Sequence, residues 1–202
     1  LQSLCASVLT LNLMTLPFRE EGIVWLKVPA HYFQKSTVLK GLKLHTYIQS
    51  HALVRLIERL DCVDERILHT NVLTAFLNLD RLIETNGRFL LEYQINSEKV
   101  GYLVLEPIDG IILIRTFLFL TNNGTPEGKY LLNHNGLQKE DKKYWNIDKL
   151  STFLTSGIRE NTKLKEIFIN AGCDSLFRLN PENFDVEKNM KKHAEGLEKY
   201  LT

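Results

Sequence analysis

The sequence predicts an α+β fold in which helices pack on one side of a mostly antiparallel sheet. Apolar residues recur at helical spacing between about residues 50 and 84, and then alternate with a period of two from residue 88 to residue 121. After residue 128 the chain is again helical in character. Early strands, two helices, a run of three strands and further helices follow one another in an order typical of α+β domains.

The size and composition of the chain suit one domain with a single core. It has 202 residues, of which 44% are hydrophobic. We predict an α+β domain over residues 1–202, with its core at about 20–135 and a helical part at about 136–202. The formal net charge is only +1, so any nucleic-acid site must be a local patch.

Cysteine usage and hydropathy indicate a cytoplasmic protein with no membrane span. The three cysteines are scattered and match neither a disulfide framework nor a CxxC metal motif. The longest stretch without a charge, residues 1–18, is interrupted by six polar residues. A membrane-spanning helix needs about 20 consecutive, mostly apolar residues.

The N-terminal quarter predicts short strands. Residues 8–14 can form a strand or a short helix, and residues 22–28 form a strand that Pro29 ends. Residues 38–44 form a further strand, in which Gly41 indicates a bulge.

Two helices are predicted next. The first begins at Ser50, whose hydroxyl can cap it, and covers about residues 51–59. The second runs from about residue 65 to residue 84, capped by Asp64 and ended by Asn86 and Gly87 in the manner of a helix C-cap.

Residues 88–95, 99–107 and 110–121 predict three strands of an antiparallel meander, joined by short turns. The third strand, IILIRTFLFLT, is almost wholly apolar, so we expect it to be central and covered on both faces. Helices follow at about 146–157 and 160–171, and a peripheral helix is predicted at 186–201.

The first candidate site is the polar face of the helix that begins near residue 50. At about 100° per residue, His51, Arg55 and Arg59 share one face of this helix. An imidazole can act as acid or base near neutral pH, and guanidiniums bind phosphate oxygens in a fork geometry. The alternative is an ordinary solvated face whose arginines pair with nearby glutamates.

The helix that begins near residue 50 contains the motif S-H-A-x-x-R-x-x-E-R, formed by Ser50, His51, Ala52, Arg55, Glu58 and Arg59. With the helix after it and the three-stranded meander, this motif resembles the RelE/BrnT-type toxin superfamily over about residues 44–121. The resemblance implies a RelE-like core with added N-terminal strands and a C-terminal helical extension. It also implies a metal-independent ribonuclease, active or degenerate, with no cofactor and with RNA, or a protein partner such as an antitoxin, as its partner.

The second candidate site is the polar loop that follows the third strand. On the ribonuclease hypothesis Glu127 is a catalytic general base, and Thr121, Asn123 and Lys129 contact RNA. The alternative is a hydrogen-bonded turn in which Pro126 and Glu127 open the next helix.

Metal chemistry is not predicted, because His45, His51 and His69 match no zinc-ligand spacing. A second hypothesis for the whole chain is a non-enzymatic protein-binding or regulatory module whose C-terminal helices dock a partner. The two hypotheses differ in geometry: the ribonuclease requires His51, Arg55, Arg59 and the loop at 121–127 to meet on one positive, concave surface.

Overall fold

A computed structural model describes residues 26–33, 41–85, 87–155 and 157–184. The elements predicted at 8–14 and 186–201 lie outside these residues, as does most of the strand predicted at 22–28. The described residues confirm the α+β fold class, because seven α-helices accompany one six-stranded, mostly antiparallel sheet. The strands are β1 (Lys27–Pro29), β2 (Lys43–Ile48), β3 (Leu82–Thr85), β4 (Arg88–Ile95), β5 (Glu98–Ile108) and β6 (Ile111–Phe119).

The helices are short. Within the described ranges the longest has 13 residues, and none is long and apolar enough to cross a membrane. Single 3-10 turns occur at Ala30–Tyr32, Leu79–Arg81 and Pro181–Asn183. The α-helices are α1 (Ser50–Arg59), α2 (Glu65–Leu77), α3 (Pro126–Asn135), α4 (Lys139–Tyr144), α5 (Leu150–Thr155), α6 (Thr162–Asn170) and α7 (Ser175–Arg178).

The sheet has the order β1-β2-β6-β5-β4-β3, and only the β2–β6 pair is parallel. The predicted meander of β4, β5 and β6 is confirmed, and β6 lies inside the sheet between β2 and β5. The turn between β4 and β5 contains Asn96 and Ser97, both with positive φ, as a type I′ hairpin requires. Asp109 and Gly110 form the second turn in the same way.

The second predicted helix is wrong at its end. α2 begins after Asp64 as predicted, where the carboxylate accepts the Arg66 backbone N–H at 2.9 Å. It stops at Leu77, however, and residues 82–85 form the edge strand β3. Thr85 pairs with Arg88, so β3 and β4 form a hairpin and the helix does not extend to residue 84. The β-branched residues of β3 and the Asn-Gly pair favour a hairpin.

The core lies between one face of the sheet and the helices. Leu91, Leu103 and Phe117 stand in register across β4, β5 and β6. Against them pack α1 and α2, and Tyr93 on β4 donates a hydrogen bond to the Leu68 carbonyl of α2 at 2.8 Å. Buried residues of the C-terminal helices, among them Phe153, belong to the same apolar cluster.

The opposite face of the sheet contacts α3 at one end. Tyr102 on this face contacts the start of α3, where its hydroxyl donates to Glu127 at 2.9 Å. Further along, the register changes from Val104 opposite Thr116 to Leu105 opposite Ile114. Arg115 is the extra residue of this β-bulge, and a bulge can aim a side chain away from the regular pleat. The bulge thus interrupts the regular pleat of β6 at an arginine.

Candidate functional site

A cavity of about 580 Å³ lies beside the bulge. We name it the first cavity. Gln49 and His51 line it from the start of α1, and Arg88 lines it from the start of β4. Glu106 and Arg115 complete its charged wall. One imidazole, two guanidiniums and one carboxylate therefore face the same space.

Arg115 is held in place by both of its neighbours in this wall. Its Nε atom lies 2.9 Å from Oε2 of Glu106. With the amide oriented to satisfy both of its atoms, Gln49 accepts from the Arg115 guanidinium at 2.9 Å and donates to the Arg115 carbonyl at 3.2 Å. These contacts fix the guanidinium, while its remaining N–H groups are donors for an anion.

His51 and Arg88 differ from Arg115 in this respect. Both residues are exposed. In the part of the chain that the structure describes, neither side chain has a hydrogen bond or an ion pair. A guanidinium that is not neutralised and an imidazole that is not bonded are both available to a ligand in the first cavity.

A second cavity of about 580 Å³ shares Arg88 with the first. Thr85, Asn123 and the segment at residues 124–126 line it, together with Lys129 of α3. Lys129 is exposed, and its ammonium has no partner among the described residues. We call the two adjoining cavities the groove.

The predicted trio on α1 does not converge on this groove. Only His51 lines it. Arg55 bonds Glu58 at 2.6 Å on the helix surface. Arg59 pairs with Asp148, and these two side chains are only 17% and 5% exposed. Burial also lowers the pKa of Arg59. Arg59 therefore connects α1 to the segment before α5.

Some predicted residues of the polar loop after β6 line the groove, and others are buried in the interior. Asn123 and Lys129 line the second cavity. The Asn123 side-chain oxygen also accepts from Nζ of Lys142 at 2.6 Å, so this residue braces the wall. Thr121 is fully buried, and its hydroxyl donates to the Ile147 carbonyl at 2.6 Å.

Glu127 lies inside the molecule, with 6% of its surface exposed. Its Oε1 atom accepts from Nζ of Lys99 at 2.7 Å and from the Tyr102 hydroxyl at 2.9 Å. Its Oε2 atom is buried and has no hydrogen-bond partner among the described residues. Burial and the neighbouring carboxylate raise the pKa of Tyr102. Glu127 lines neither cavity of the groove, so it has no access to a substrate there.

Lys142 and Cys173 belong to the same buried region. Lys142 is 2% exposed, and its ammonium donates to the Gly128 carbonyl at 2.8 Å as well as to Asn123. Burial lowers the pKa of Lys142 to about 8. Burial raises the pKa of the Cys173 thiol, which therefore stays protonated and is a poor nucleophile at neutral pH. We call Lys99, Tyr102, Glu127, Lys142 and Cys173 the buried cluster.

Arg88, Glu106 and Arg115 were not among the candidates drawn from the sequence. Arg115 carried a signal, because it is the one charged residue of an otherwise apolar central strand. A charge in such a strand needs a partner or a special position. Arg88 follows the Asn-Gly pair directly, and a correct hairpin assignment would have placed it at a sheet end.

Comparison with protein-family models, with curated proteins and with solved structures found no match. Among the described residues, no three His, Cys, Asp or Glu side chains come together in a way that could hold a metal ion. His45, His51 and His69 belong to three different elements, β2, α1 and α2.

Proposed function

We propose that this chain binds single-stranded RNA in the groove and cleaves it without a metal ion. The observation that carries the proposal is the first cavity, where His51 lies in one wall with Arg88 and Arg115. A phosphodiester in this cavity has an imidazole for proton transfer and two guanidiniums for its charge. The arrangement differs from the one that the sequence hypothesis required, because Arg55, Arg59 and Glu127 do not line the groove. In this proposal Arg88, Arg115 and Glu106 take their roles.

The cleavage step uses groups of the first cavity. The 2′-oxygen attacks phosphorus while its proton passes to the carboxylate of Glu106, which takes the base role expected of Glu127. The bond from phosphorus to the 5′-oxygen breaks, and the leaving oxygen takes a proton from His51. The products are a 2′,3′-cyclic phosphate and a 5′-hydroxyl. Arg88 and Arg115 stabilise the charge that builds on the phosphoryl oxygens.

Incubation with single-stranded RNA in the presence of a chelator tests this proposal. We expect cleavage that leaves cyclic phosphate ends, and no cleavage of DNA, which lacks the attacking hydroxyl. His51→Ala should lower the rate about 10²- to 10⁴-fold, the usual contribution of general acid catalysis. His69→Ala is the matched control, since His69 lies on α2 and lines neither cavity.

Intact RNA at high protein concentration, or equal rates for the wild type and His51→Ala, would contradict cleavage. RNA that binds without being cleaved would indicate a degenerate relative. A chain that neither binds nor cleaves RNA would instead favour the second hypothesis, a protein-binding or regulatory module.

A further inference from the structure

The second cavity contains groups that the proposed cleavage step does not use. The Lys129 ammonium and the Arg88 guanidinium lie in its wall without partners among the described residues. Thr85 lines the same space. No Asp or Glu is present among its described lining residues, whereas the first cavity contains Glu106. The cations of the second cavity are therefore not neutralised from within.

We propose that the second cavity binds the phosphate next to the scissile one, so that the substrate is a strand with at least two consecutive phosphates. This inference rests on the proposed function, because it takes the first cavity as the place of the scissile phosphate. Arg88 lines both cavities. Its five donors in a planar fork can bind an oxygen of each phosphate, and Lys129 binds the second phosphate from α3.

Recognition in the second cavity does not depend on the base. Leu90 and Leu118 form its apolar floor, and no aromatic ring is present among its described lining residues. Base stacking on aromatic side chains is the usual platform of single-strand binding proteins. Since the second cavity offers cations and aliphatic contacts instead, affinity should depend on the second phosphate and not on the sequence of the strand.

The first turn of α3 is not the source of this charge. The Thr125 hydroxyl accepts the Gly128 backbone N–H at 2.9 Å and itself contacts the Leu120 carbonyl at 2.5 Å. The helix end is thus already capped, and the site depends on Arg88 and Lys129. Both side chains are exposed, so either can be replaced without disturbing the core.

The test uses 2′-O-methyl uridine oligonucleotides with one, two and three phosphates, which bind but cannot be cleaved. Dissociation constants are measured at several salt concentrations. We expect affinity to rise about tenfold from one phosphate to two, the effect of one charge-assisted contact, and to change little with a third. The slope of log affinity against log salt should steepen by about 0.7 with the second phosphate.

Lys129→Ala should remove both the gain in affinity and the steeper salt slope, and Lys129→Arg should restore them. Lys163→Ala, an exposed lysine on α6, is the control that keeps both. Equal affinity for one and two phosphates would overturn the inference, as would an equal loss for both probes in Lys129→Ala.

The cleavage assay separates this inference from the proposed function. Cleavage of RNA without a gain from the second phosphate overturns the second binding site and leaves the proposed function standing. A gain from the second phosphate without cleavage supports the second binding site and overturns the catalytic role of His51.

Discussion

The groove and the buried cluster are both rich in charge, yet they differ in what their charges contact. In the groove, His51, Arg88 and Lys129 face solvent without partners among the described residues. In the buried cluster, Glu127 is held by Lys99 and Tyr102. Charges that are buried must be paired to be tolerated, whereas exposed and unpaired cations remain available to a ligand. Exposure and pairing therefore distinguish a binding surface from a polar part of the scaffold.

The largest expected effect comes from breaking the ion pair of the buried cluster. Glu127→Ala leaves the Lys99 ammonium and the Tyr102 hydroxyl without their acceptor. We expect a loss of about 3 kcal/mol in the free energy of unfolding, toward the low end for a buried pair because Lys99 is partly exposed. Chemical denaturation measures this loss. Glu166→Ala, on the exposed side of α6, is the control. A loss below about 0.5 kcal/mol, the range of surface substitutions, would show that Glu127 does not hold the cluster together.

A smaller effect is expected from the pH dependence of Lys142. The pKa of Lys142 falls from an ordinary 10.5 to about 8 on folding. Between these pH values the Lys142 amine is mostly protonated in the unfolded chain and mostly neutral in the folded protein. Stability therefore rises with pH in this window. From pH 8 to pH 9.5, the unfolding free energy of the wild type should rise by about 1.5 kcal/mol relative to that of Lys142→Met.

Lys143→Met, the exposed neighbour on α4, should show no such growth. A difference that stays flat would mean that the acceptors on Asn123 and Gly128 stabilise the ammonium as strongly as burial destabilises it.

The smallest effect on stability is expected in the groove. Arg88→Ala should change the free energy of unfolding by less than about 0.5 kcal/mol, since Arg88 is exposed and pairs with no described residue. The same change should weaken binding of the two-phosphate probe more than tenfold, because Arg88 lines both cavities. Thermal denaturation and fluorescence titration measure the two quantities. A large loss of stability with unchanged binding would place Arg88 in the scaffold.

Much of the fold could be predicted from local patterns. The meander, the Asp64 cap and the helix that opens at Pro126 all depend on neighbouring residues in the sequence. The predicted end of α2 was wrong because an Asn-Gly pair in the sequence suits either a helix end or a hairpin. Only the pairing of Leu82 with Leu91 and of its neighbours along β4 decides between these structures.

The site was harder to predict than the fold, since it depends on contacts between distant residues. His51, Asn123 and Lys129 were found by residue type and do line the groove. Helical spacing could place Arg59 on a polar face, but it could not reveal Asp148, which lies 89 residues further along the chain. In the same way, no local signal indicated that Lys99 would reach Glu127.

Because Arg115 is the extra residue of a β-bulge, its charge can change without any change in the apolar residues that β6 contributes to the core. Deletion of this single residue would let Ile114 and Thr116 pair with Leu105 and Val104 in an unbroken ladder, with each apolar side chain on its present side. Deletion or insertion of one codon would thus remove or add this guanidinium without repacking the protein. Selection could therefore change the charge of this surface separately from the stability of the fold.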